Sequence, residues 1–385
     1  MTTQPSLQEI AASNPRQDIT QAFWGALIPN SDQVLQRHGG GDLALYEEVF
    51  RDDQVYACLQ QRTLAQLSRE WHVEAGGESE IDRACADFIR QQFRRLDFDD
   101  LCRKMMLGIF YGYSVAECLW KKSDSRIHLD AIKVRNVRRF GFNTDHNLVL
   151  KTRRNPQGET LPEQKFWLFR AGSDHDDAPY GRGLGYWLYW PVWFKRNFIR
   201  FWSQHAERFA APTLAGRYPA NISEAEKQKL LETLDSMRGR SSMAIPENMA
   251  IEILETTRQV GGDYDQFIQR MDQAISKIIL SQTLTTDQGS SHAQAKVHHT
   301  VRNELVKADA DILCQSLNHS VIAWLSEWNF PTANPPRLWR KCTEELDDET
   351  RMRIDKGLYD MGYRLSPELV QERYGSGYEK APQQS

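Results

Sequence analysis

The sequence lacks the short motifs that mark common enzyme classes and metal sites. It contains no GxxxxGKS/T loop, no HExxH pair and no nucleophile elbow, and its six cysteines form no CxxC pair. No apolar run approaches the length of a membrane span, and Met1–Ile19 is polar. We therefore expect reduced thiols in a soluble protein made in the cytoplasm, with no signal peptide, no membrane segment, no enzymatic activity, no cofactor and no metal.

The chain also has no excess of basic charge. Its 48 Lys and Arg residues against 52 Asp and Glu residues give a formal net charge of −4, which argues against nucleic-acid binding through an extended basic surface. A protein that lets DNA slide past remains compatible with this charge, because tight phosphate binding would oppose movement. Tryptophan, in contrast, is abundant at 11 residues, and such rings are typical of cores and protein–protein interfaces.

A length of 385 residues exceeds the size at which one hydrophobic core usually keeps growing, so we expect two or more subdomains. Residues 1–41 are polar and end in three glycines, which predicts an extended N-terminal arm. Periodicity then predicts helices, followed by several short strands between residues 113 and 170 that form a small antiparallel sheet, so the fold class is α+β. The helices and an earlier short strand are predicted at Asp42–Ser68 (two helices), Trp71–Glu74 (strand), Glu80–Arg95 and Phe98–Gly112.

Long helices dominate the second half of the sequence. The segment Tyr186–Phe209 is apolar on nearly all sides, so it must be covered on several faces. Residues 210–260 form a compact insert whose helix begins at a capping box of Ser223 and Glu226. Two more helices are predicted at Asp263–Ser281 and Val297–Leu325. The remainder, 331–385, is expected to contain a proline-containing loop and one or two short helices, at Asp347–Met361 and Ser366–Tyr374.

The connection between the last two long helices is unusually long. Residues 283–295 are polar, with Gly289 in the middle, whereas helix–helix connections in bundles usually span about 2–8 residues. We interpret this segment as a functional loop; an ordinary connection is the alternative.

Several candidate ligand sites have a structural explanation. The histidines and cysteine near the loop match no common zinc spacing, which favours surface and core positions. The glycine-rich stretch 181–185 lacks the GxGxxG spacing and a βαβ context, which favours a structural turn. The possible metal ligands are His292, His298, His299, Cys314 and His319.

Two sets of charged residues leave alternatives open. Carboxylate pairs on helices are usually solvated, but they are also compatible with a nuclease site. Three arginines among the strand positions are compatible with phosphate contact or with a solvated strand edge. The carboxylate pairs are Asp99 with Asp100 and Asp309 with Asp311, and the arginines are Arg135, Arg138 and Arg139.

Several short stretches occur in an order that identifies a family. They are Asp53-x-Val55-x-Ala57-x-x-x-x-Arg62 with Trp71, Tyr111-Gly112-Tyr113-Ser114-x-x-Glu117-x-x-Trp120, Pro179-Tyr180-Gly181-x-Gly183-Leu184, Glu207-Arg208-Phe209-x-x-Pro212, Gln282-Thr283-Leu284-Thr285-Thr286 with Gly289-Ser290, Ala293-x-Ala295-x-Val297-His298, and Ala308-Asp309. Over residues 45 to 330 the chain resembles the portal proteins of tailed phages, specifically those of Mu-like phages and prophages.

The resemblance implies a dodecameric ring at one capsid vertex, through which double-stranded DNA enters and leaves. It implies a portal-type fold with a mixed helix and antiparallel-sheet wing, long stem helices and a small α/β clip. The implied regions are the arm (1–41), wing (42–185), stem helices (186–209 and 261–281), clip (210–260), channel loop (282–296), long wing helix and loop (297–345), and a small crown-like region (346–385).

The resemblance also implies partners and site residues. The partners are other copies of the chain, passing double-stranded DNA, the large terminase, the major capsid protein and a head–tail adaptor, in a virion assembled in the host cytoplasm. The alternatives are a head-completion or adaptor protein and, less favoured, a phage nucleic-acid enzyme. The channel-loop residues are Thr285, Thr286, Asp287, Gln288, Gly289, Ser290 and Ser291, and the stem and subunit-interface residues are Trp193, Phe194, Phe198, Phe201, Trp202, Phe267, Met271 and Ile275.

Overall fold

The structure is a computed structural model of the chain. It describes residues 27, 30–143, 146–172, 179–209, 213–218, 222–237, 250–254, 261–282, 292–342 and 348–375. The chain divides into two units, 1–341 and 342–385.

The first unit alternates helices with short strands. Its described helices are α1 (Gln33–His38), α2 (Ala44–Phe50), α3 (Asp53–Leu67), α4 (Glu80–Arg94), α5 (Phe98–Met105), α6 (Leu107–Tyr111), α7 (Gly185–Phe209), α8 (Glu224–Met237), α9 (Gly261–Leu280), α10 (His292–Leu317) and α11 (Ala323–Asn329). Its described strands are β1 (Trp71–Glu74), β2 (Tyr113–Ser123), β3 (Arg126–Arg135), β4 (Phe140–Phe142), β5 (Leu148–Leu150), β6 (Glu159–Thr160), β7 (Phe166–Arg170), β8 (Thr213–Arg217), β9 (Ala250–Leu254) and β10 (Arg337–Arg340).

All described strand pairs are antiparallel, and the predicted α+β class is confirmed. The strands predicted between residues 113 and 170 form two three-stranded sheets, β3-β2-β7 and β4-β5-β6, where we expected one. Residues 137–139 form a 3-10 turn that separates β3 from β4 and redirects the chain into the second sheet. Strands β8 and β9 pair around the insert, and the predicted Ser223–Glu226 capping box precedes α8.

Helix α1 corrects the prediction of an arm extending to residue 41. Asp32 accepts hydrogen bonds from the backbone N–H groups of Val34 and Leu35 at 2.9 and 3.0 Å and so caps the helix. The side chains of Val34 and Leu35 are buried, and Tyr46 donates a hydrogen bond to Asp32. The described end of the predicted arm is therefore part of the folded unit.

Two elements near the end of the first unit were not predicted. The helix expected at Val297–Leu325 is interrupted by a π-helical turn at residues 318–322, and α11 follows it. This turn directs the Asn318 amide at Leu338, with both N···O distances 2.9 Å. Residues 337–340, expected in a loop, form β10, which pairs with β1 on its other edge. Asn318 therefore provides hydrogen bonds to β10 where a further strand would otherwise do so.

The glycine-rich stretch 181–185 is a structural turn, as predicted. Its backbone crosses the end of α6 so closely that a Cβ on Gly183 would lie 2.2 Å from the Phe110 carbonyl oxygen and 2.3 Å from the Gly112 nitrogen. Gly181 and Gly112 also adopt φ of +65° and +100°, in the region that favours glycine.

Gly183→Ala is therefore expected to destabilise the first unit by about 3 kcal/mol, because the contacting atoms are backbone and cannot rotate away. Thermal or urea unfolding measures this loss. Gly357→Ala is the control, because Gly357 lies in α12 (Asp348–Asp360) with no atom within 4 Å of an added Cβ. That variant should be unchanged or more stable by about 0.5–1 kcal/mol. Equal stability of Gly183→Ala and the parent would contradict the close crossing.

The second unit contains α12 and α13 (Pro367–Tyr374), close to the predicted bounds. Asp355, which is buried, links them by accepting hydrogen bonds from Arg373 at 2.8 Å and Tyr374 at 2.7 Å.

Candidate assembly surface and the helices that carry it

Helices α7 and α9 pack side by side through aromatic rings. Phe198 stacks on Phe267 with a centroid distance of 3.6 Å and an interplanar angle of 13°, and Tyr264 lies 5.9 Å from Phe198. The predicted stem residues Phe198 and Phe267 therefore contact each other within one chain and are half-buried, and Met271 is also half-buried. Ile275 is fully buried, so it belongs to the core of this chain and offers no surface to a neighbouring subunit.

A buried lysine joins these two helices to α3. Lys195 of α7 places its Nζ 2.6 Å from Asp53, 2.7 Å from Asp272 and 3.2 Å from Asp52. Asp52 also caps α3, so one charge cluster connects the start of α3 with both α7 and α9. Leu188, Val192 and Lys195 are spaced by four and three positions, so they lie on one face of α7. Because Leu188 and Val192 are apolar and buried, this spacing indicates from the sequence that Lys195 is buried as well.

The pKa shifts in this cluster follow from burial and pairing. Burial lowers the pKa of Lys195, but its bonds and charges with Asp272, Asp53 and Asp52 outweigh burial and raise that pKa above its ordinary value. The hydrogen bond from Lys195 lowers the pKa of Asp53. Burial raises the pKa of Asp272, and the Lys195 charge opposes that effect. Lys195 is therefore held in its charged form.

A second polar contact joins α3 to the helices on both sides of the predicted channel loop. The Arg62 guanidinium donates to both carboxylate oxygens of Asp309 in α10, at 2.6 and 2.7 Å, and to the Ile279 carbonyl in α9, at 2.7 Å. Gln54 also donates to Ser276 of α9 at 2.8 Å. Asp309 is therefore a buried ion-pair partner, and its interpretation as a solvated carboxylate is wrong.

Helix α7 presents six exposed aromatic side chains on the side away from this core. We call this set the aromatic face; it consists of Trp187, Trp190, Trp193, Phe194, Phe201 and Trp202. Trp187 and Phe201 are the most exposed, at 54% and 55%. Trp187, Trp190, Phe194 and Phe201 follow the spacing i, i+3, i+7 and i+14, so they share one side of the helix, and the other two flank it. An apolar surface of this kind is typical of a protein–protein contact.

The structure divides the predicted interface residues between this face and the core. Trp193, Phe194, Phe201 and Trp202 lie on the aromatic face, whereas Phe198, Phe267 and Met271 are half-buried and Ile275 is buried. The predicted loop residues Thr285–Ser291 lie outside the described residues. The described residues before this loop end at Gln282, and they resume at the start of α10. Ser281, which follows α9, adopts a φ of +57°.

The three arginines considered for phosphate contact are held by the fold. Arg135 pairs with the buried Glu117 at 2.9 Å, and Arg138 donates to both oxygens of Asp42 at 2.7 and 2.8 Å. Arg139 is itself buried. The interpretation as a solvated strand edge is therefore wrong for these residues, and their guanidinium groups are engaged within the chain.

The remaining carboxylates and possible metal ligands are dispersed. Asp99 pairs with Arg340 at 2.5 Å, Asp100 pairs with Lys104 at 2.5 Å, and Asp311 is exposed. Cys314 is buried and His319 is exposed, whereas the side chains of His292, His298 and His299 lie outside the described part. Among the described residues, no group of three His, Cys, Asp or Glu side chains is arranged to hold a metal ion. None of the described helices has the length and hydrophobicity needed to span a membrane.

The described chain thus combines an α+β body, two paired long helices and an exposed aromatic face. The fold is similar to chains of two solved assemblies of a gene transfer agent (GTA). A chain of the virion of the native GTA particle matches with a TM-score of 0.55 and 11% identity, covering 86% of this chain and 92% of that one. A chain of the neck of the native particle, computed with C12 symmetry, matches with a TM-score of 0.54 and 12% identity over the same shares.

Sequence comparison identifies the family. The model of the family described as portal protein of Mu bacteriophage matches residues 43–376, and the chain belongs to that family. The chain is 27% identical over 307 residues to the portal protein of Escherichia phage Mu, covering 77% of this chain and 60% of that protein. It is also 27% identical over 198 residues to the Mu-like prophage FluMu protein gp29 of Haemophilus influenzae, covering 50% of this chain and 38% of that protein. The predicted resemblance is confirmed, and the chain spans less than two thirds of these relatives' lengths.

Proposed function

We propose that this chain is a portal subunit that forms a ring at one vertex of a phage capsid and provides the channel for packaging and ejecting double-stranded DNA. The aromatic face of α7 is the observation that carries this proposal beyond family membership. A single chain leaves these six aromatic side chains exposed, whereas neighbours in a ring cover them. Each subunit in a closed ring contacts two neighbours through different surfaces, so the aromatic face of one copy packs against another side of the next.

The proposed regions follow the fold order. Helices α7 and α9 form the stem, and the α8, β8 and β9 insert forms the clip. The wing comprises the first unit before α7 together with α10, α11 and β10, and α12 and α13 form a small crown-like region. The C12 symmetry of the similar neck assembly supports a ring of twelve copies. In this arrangement Lys195 and Arg62 attach the wing helix α3 to the stem and to α10.

The proposed partners follow from the position of such a ring. The major capsid protein surrounds it, the large terminase docks on the clip during packaging, and a head–tail adaptor replaces the terminase afterwards. Since the sequence has no nucleotide-binding loop, the terminase supplies the energy for DNA movement. A head-completion or adaptor role is the less supported alternative, because the family match covers the chain from residue 43 to residue 376.

Electron microscopy of particles that carry a labelled version of this chain tests the proposal. The label is expected at one vertex per particle, and particles made without the chain are expected to contain no DNA. Label at every vertex, or filled heads made without the chain, would contradict the proposal.

The segment Thr285–Ser291 is proposed as the channel loop. Its hydroxyl and amide side chains suit transient contact with phosphates, because they bind without a strong ion pair. Deleting it is expected to leave ring formation unchanged but to reduce the DNA retained per particle severalfold, as measured by quantitative PCR on nuclease-treated particles. A Gly–Ser replacement of equal length is the control that separates side-chain chemistry from loop length. Parental DNA content in the deletion variant would refute a role for this loop.

A further inference from the structure

The second unit has little core of its own. Helices α12 and α13 contain 13 and 8 residues, lengths at which an isolated helix is at best marginally stable in water. Among their described side chains, Asp355 alone is buried. A unit this small normally needs a disulfide, a metal or an added protein surface to stay folded. Its sequence contains one cysteine, Cys342, so no disulfide forms within it, and the described residues of the chain include no metal-binding group.

The large apolar side chains of this unit are exposed instead. Their exposed fractions range from 44% to 68%, and they are Met352, Ile354, Tyr359, Met361 and Tyr363. Four of them form two pairs spaced by seven positions, and each pair lies on one side of the helix because seven residues complete about two turns. Met361 directly follows α12 and continues its turn, since its N–H group donates to the Gly357 carbonyl at 3.1 Å. We call Met352 with Tyr359 the first flank and Ile354 with Met361 the second flank.

The two flanks lie on either side of the contact between α12 and α13. Ile354 follows Met352 by two positions, which is a rotation of about 200° around the helix. The buried Asp355, which accepts hydrogen bonds from Arg373 and Tyr374 of α13, lies on the arc between the flanks. The opposite side of α12 is polar and exposed, with Arg353 and Asp360. Helix α13 therefore covers only the middle of the apolar side of α12 and leaves a separate apolar surface at each border.

We propose that the first flank of one copy packs against the second flank of the next copy, so that α12 and α13 continue around the assembly. This inference rests on the proposed ring, in which each subunit contacts two neighbours through different surfaces. Two different flanks on opposite sides of one helix meet that requirement, whereas a single partner protein would need only one of them. The C12 symmetry of the similar neck assembly is consistent with such a repeated contact.

The contact depends on assembly through the rest of the chain. Two short helices offer less surface than a stable interface between free proteins needs. A ring held by the aromatic face of α7 keeps the second units of neighbouring copies at high local concentration, so that a small contact can form. It removes the flanks from water at every subunit boundary and provides the apolar core that one copy lacks. We therefore expect α12 to be stable in the ring and to open readily in a single chain.

Cross-linking of co-expressed full-length variants tests which flanks meet. One variant carries Tyr359→Cys and the other Ile354→Cys, and a short bismaleimide joins thiols that lie close together. Rings containing both variants should give covalent dimers on a denaturing gel, whereas rings of either variant alone should not, because like flanks do not meet. Parent rings treated in the same way control for the native cysteines. Dimers from either variant alone, or none from mixed rings, would overturn the proposal.

Hydrogen exchange provides a second measurement on the same rings. The amides of Gly357 and Leu358 are expected to exchange slowly in parent rings and about tenfold faster in rings of Met352→Gln with Tyr359→Gln. The matched control is Arg353→Gln with Asp360→Gln, which makes the same change seven positions apart on the polar side and should exchange like the parent. Equal exchange in the two double variants would contradict the contact, as would slow exchange in parent chains diluted to monomers.

Failure of this inference can be distinguished from failure of the proposed function. Rings that form but show neither the cross-link nor the protection would refute the flank contact alone. A chain that stays monomeric at every concentration, as measured by light scattering, would refute the ring and this contact together.

Discussion

The double variant Phe194→Asp with Phe201→Asp should remain folded but should no longer form rings. Both residues lie on the aromatic face of α7, seven positions apart and exposed in the single chain. Two aspartates would place unpaired carboxylates in the buried centre of the proposed contact, at a cost of several kcal/mol per interface. Because a ring repeats this contact at every subunit boundary, the loss affects every interface. Size-exclusion chromatography with light scattering should show monomers with the parental circular dichroism spectrum.

Two controls separate assembly from folding. Phe198→Asp changes a residue between these two in sequence that stacks on Phe267 instead, so it should destabilise the subunit itself by about 3–5 kcal/mol. Leu64→Asp adds a charge at an exposed position on α3 and should leave the rings intact. Intact rings from the double variant would show that the aromatic face is not a subunit contact.

Lys195→Met should produce a large loss of stability, comparable to that expected for Phe198→Asp. It leaves the carboxylates of Asp52 and Asp272 close together without their shared cation, and Asp52 is buried. Removing one partner of a buried ion pair costs about 3–5 kcal/mol, because the remaining charge stays desolvated. Urea unfolding measures this as a lower midpoint with an unchanged slope.

The control for this loss is Lys104→Met, which removes an exposed lysine paired with Asp100 at 2.5 Å. Exposed pairs contribute about 0–1 kcal/mol, so this variant should be nearly as stable as the parent. Adding Asp272→Asn to Lys195→Met should recover part of the loss, because one of the unpaired carboxylates is neutralised. Equal losses in Lys195→Met and Lys104→Met would contradict a buried charge cluster.

The sequence predicted the helices well because their periodic patterns depend on local spacing. It did not predict which face of α7 meets α9, since Phe194 and Phe198 are equally aromatic and α7 is apolar on nearly all sides. Phe198 is distinguished from Phe194 only in the folded chain, where Phe267 of α9 stacks on it. The same reason explains Ile275, whose burial depends on the neighbours of α9 in the folded chain.

The charged residues were the least predictable part of the site. Arg62 and Asp309 are separated by 247 positions, so no local pattern indicates that they pair. Strand β10 was missed for a related reason: it is short, and its partner strand β1 is distant in the sequence. Its other partner, Asn318, is positioned by a π-helical turn. The burial of Lys195, in contrast, is indicated by the local sequence, because Lys195 shares a face of α7 with Leu188 and Val192. A buried lysine requires a carboxylate partner.

Native mass spectrometry of the purified chain, supported by negative-stain images, tests whether the chain assembles into rings. The proposed portal function predicts closed rings of about twelve copies, in line with the C12 symmetry of the similar neck assembly. These rings should persist across a range of salt concentrations, since the aromatic face is apolar and salt does not screen it. A strict monomer at every protein and salt concentration would contradict the proposed ring and its portal function.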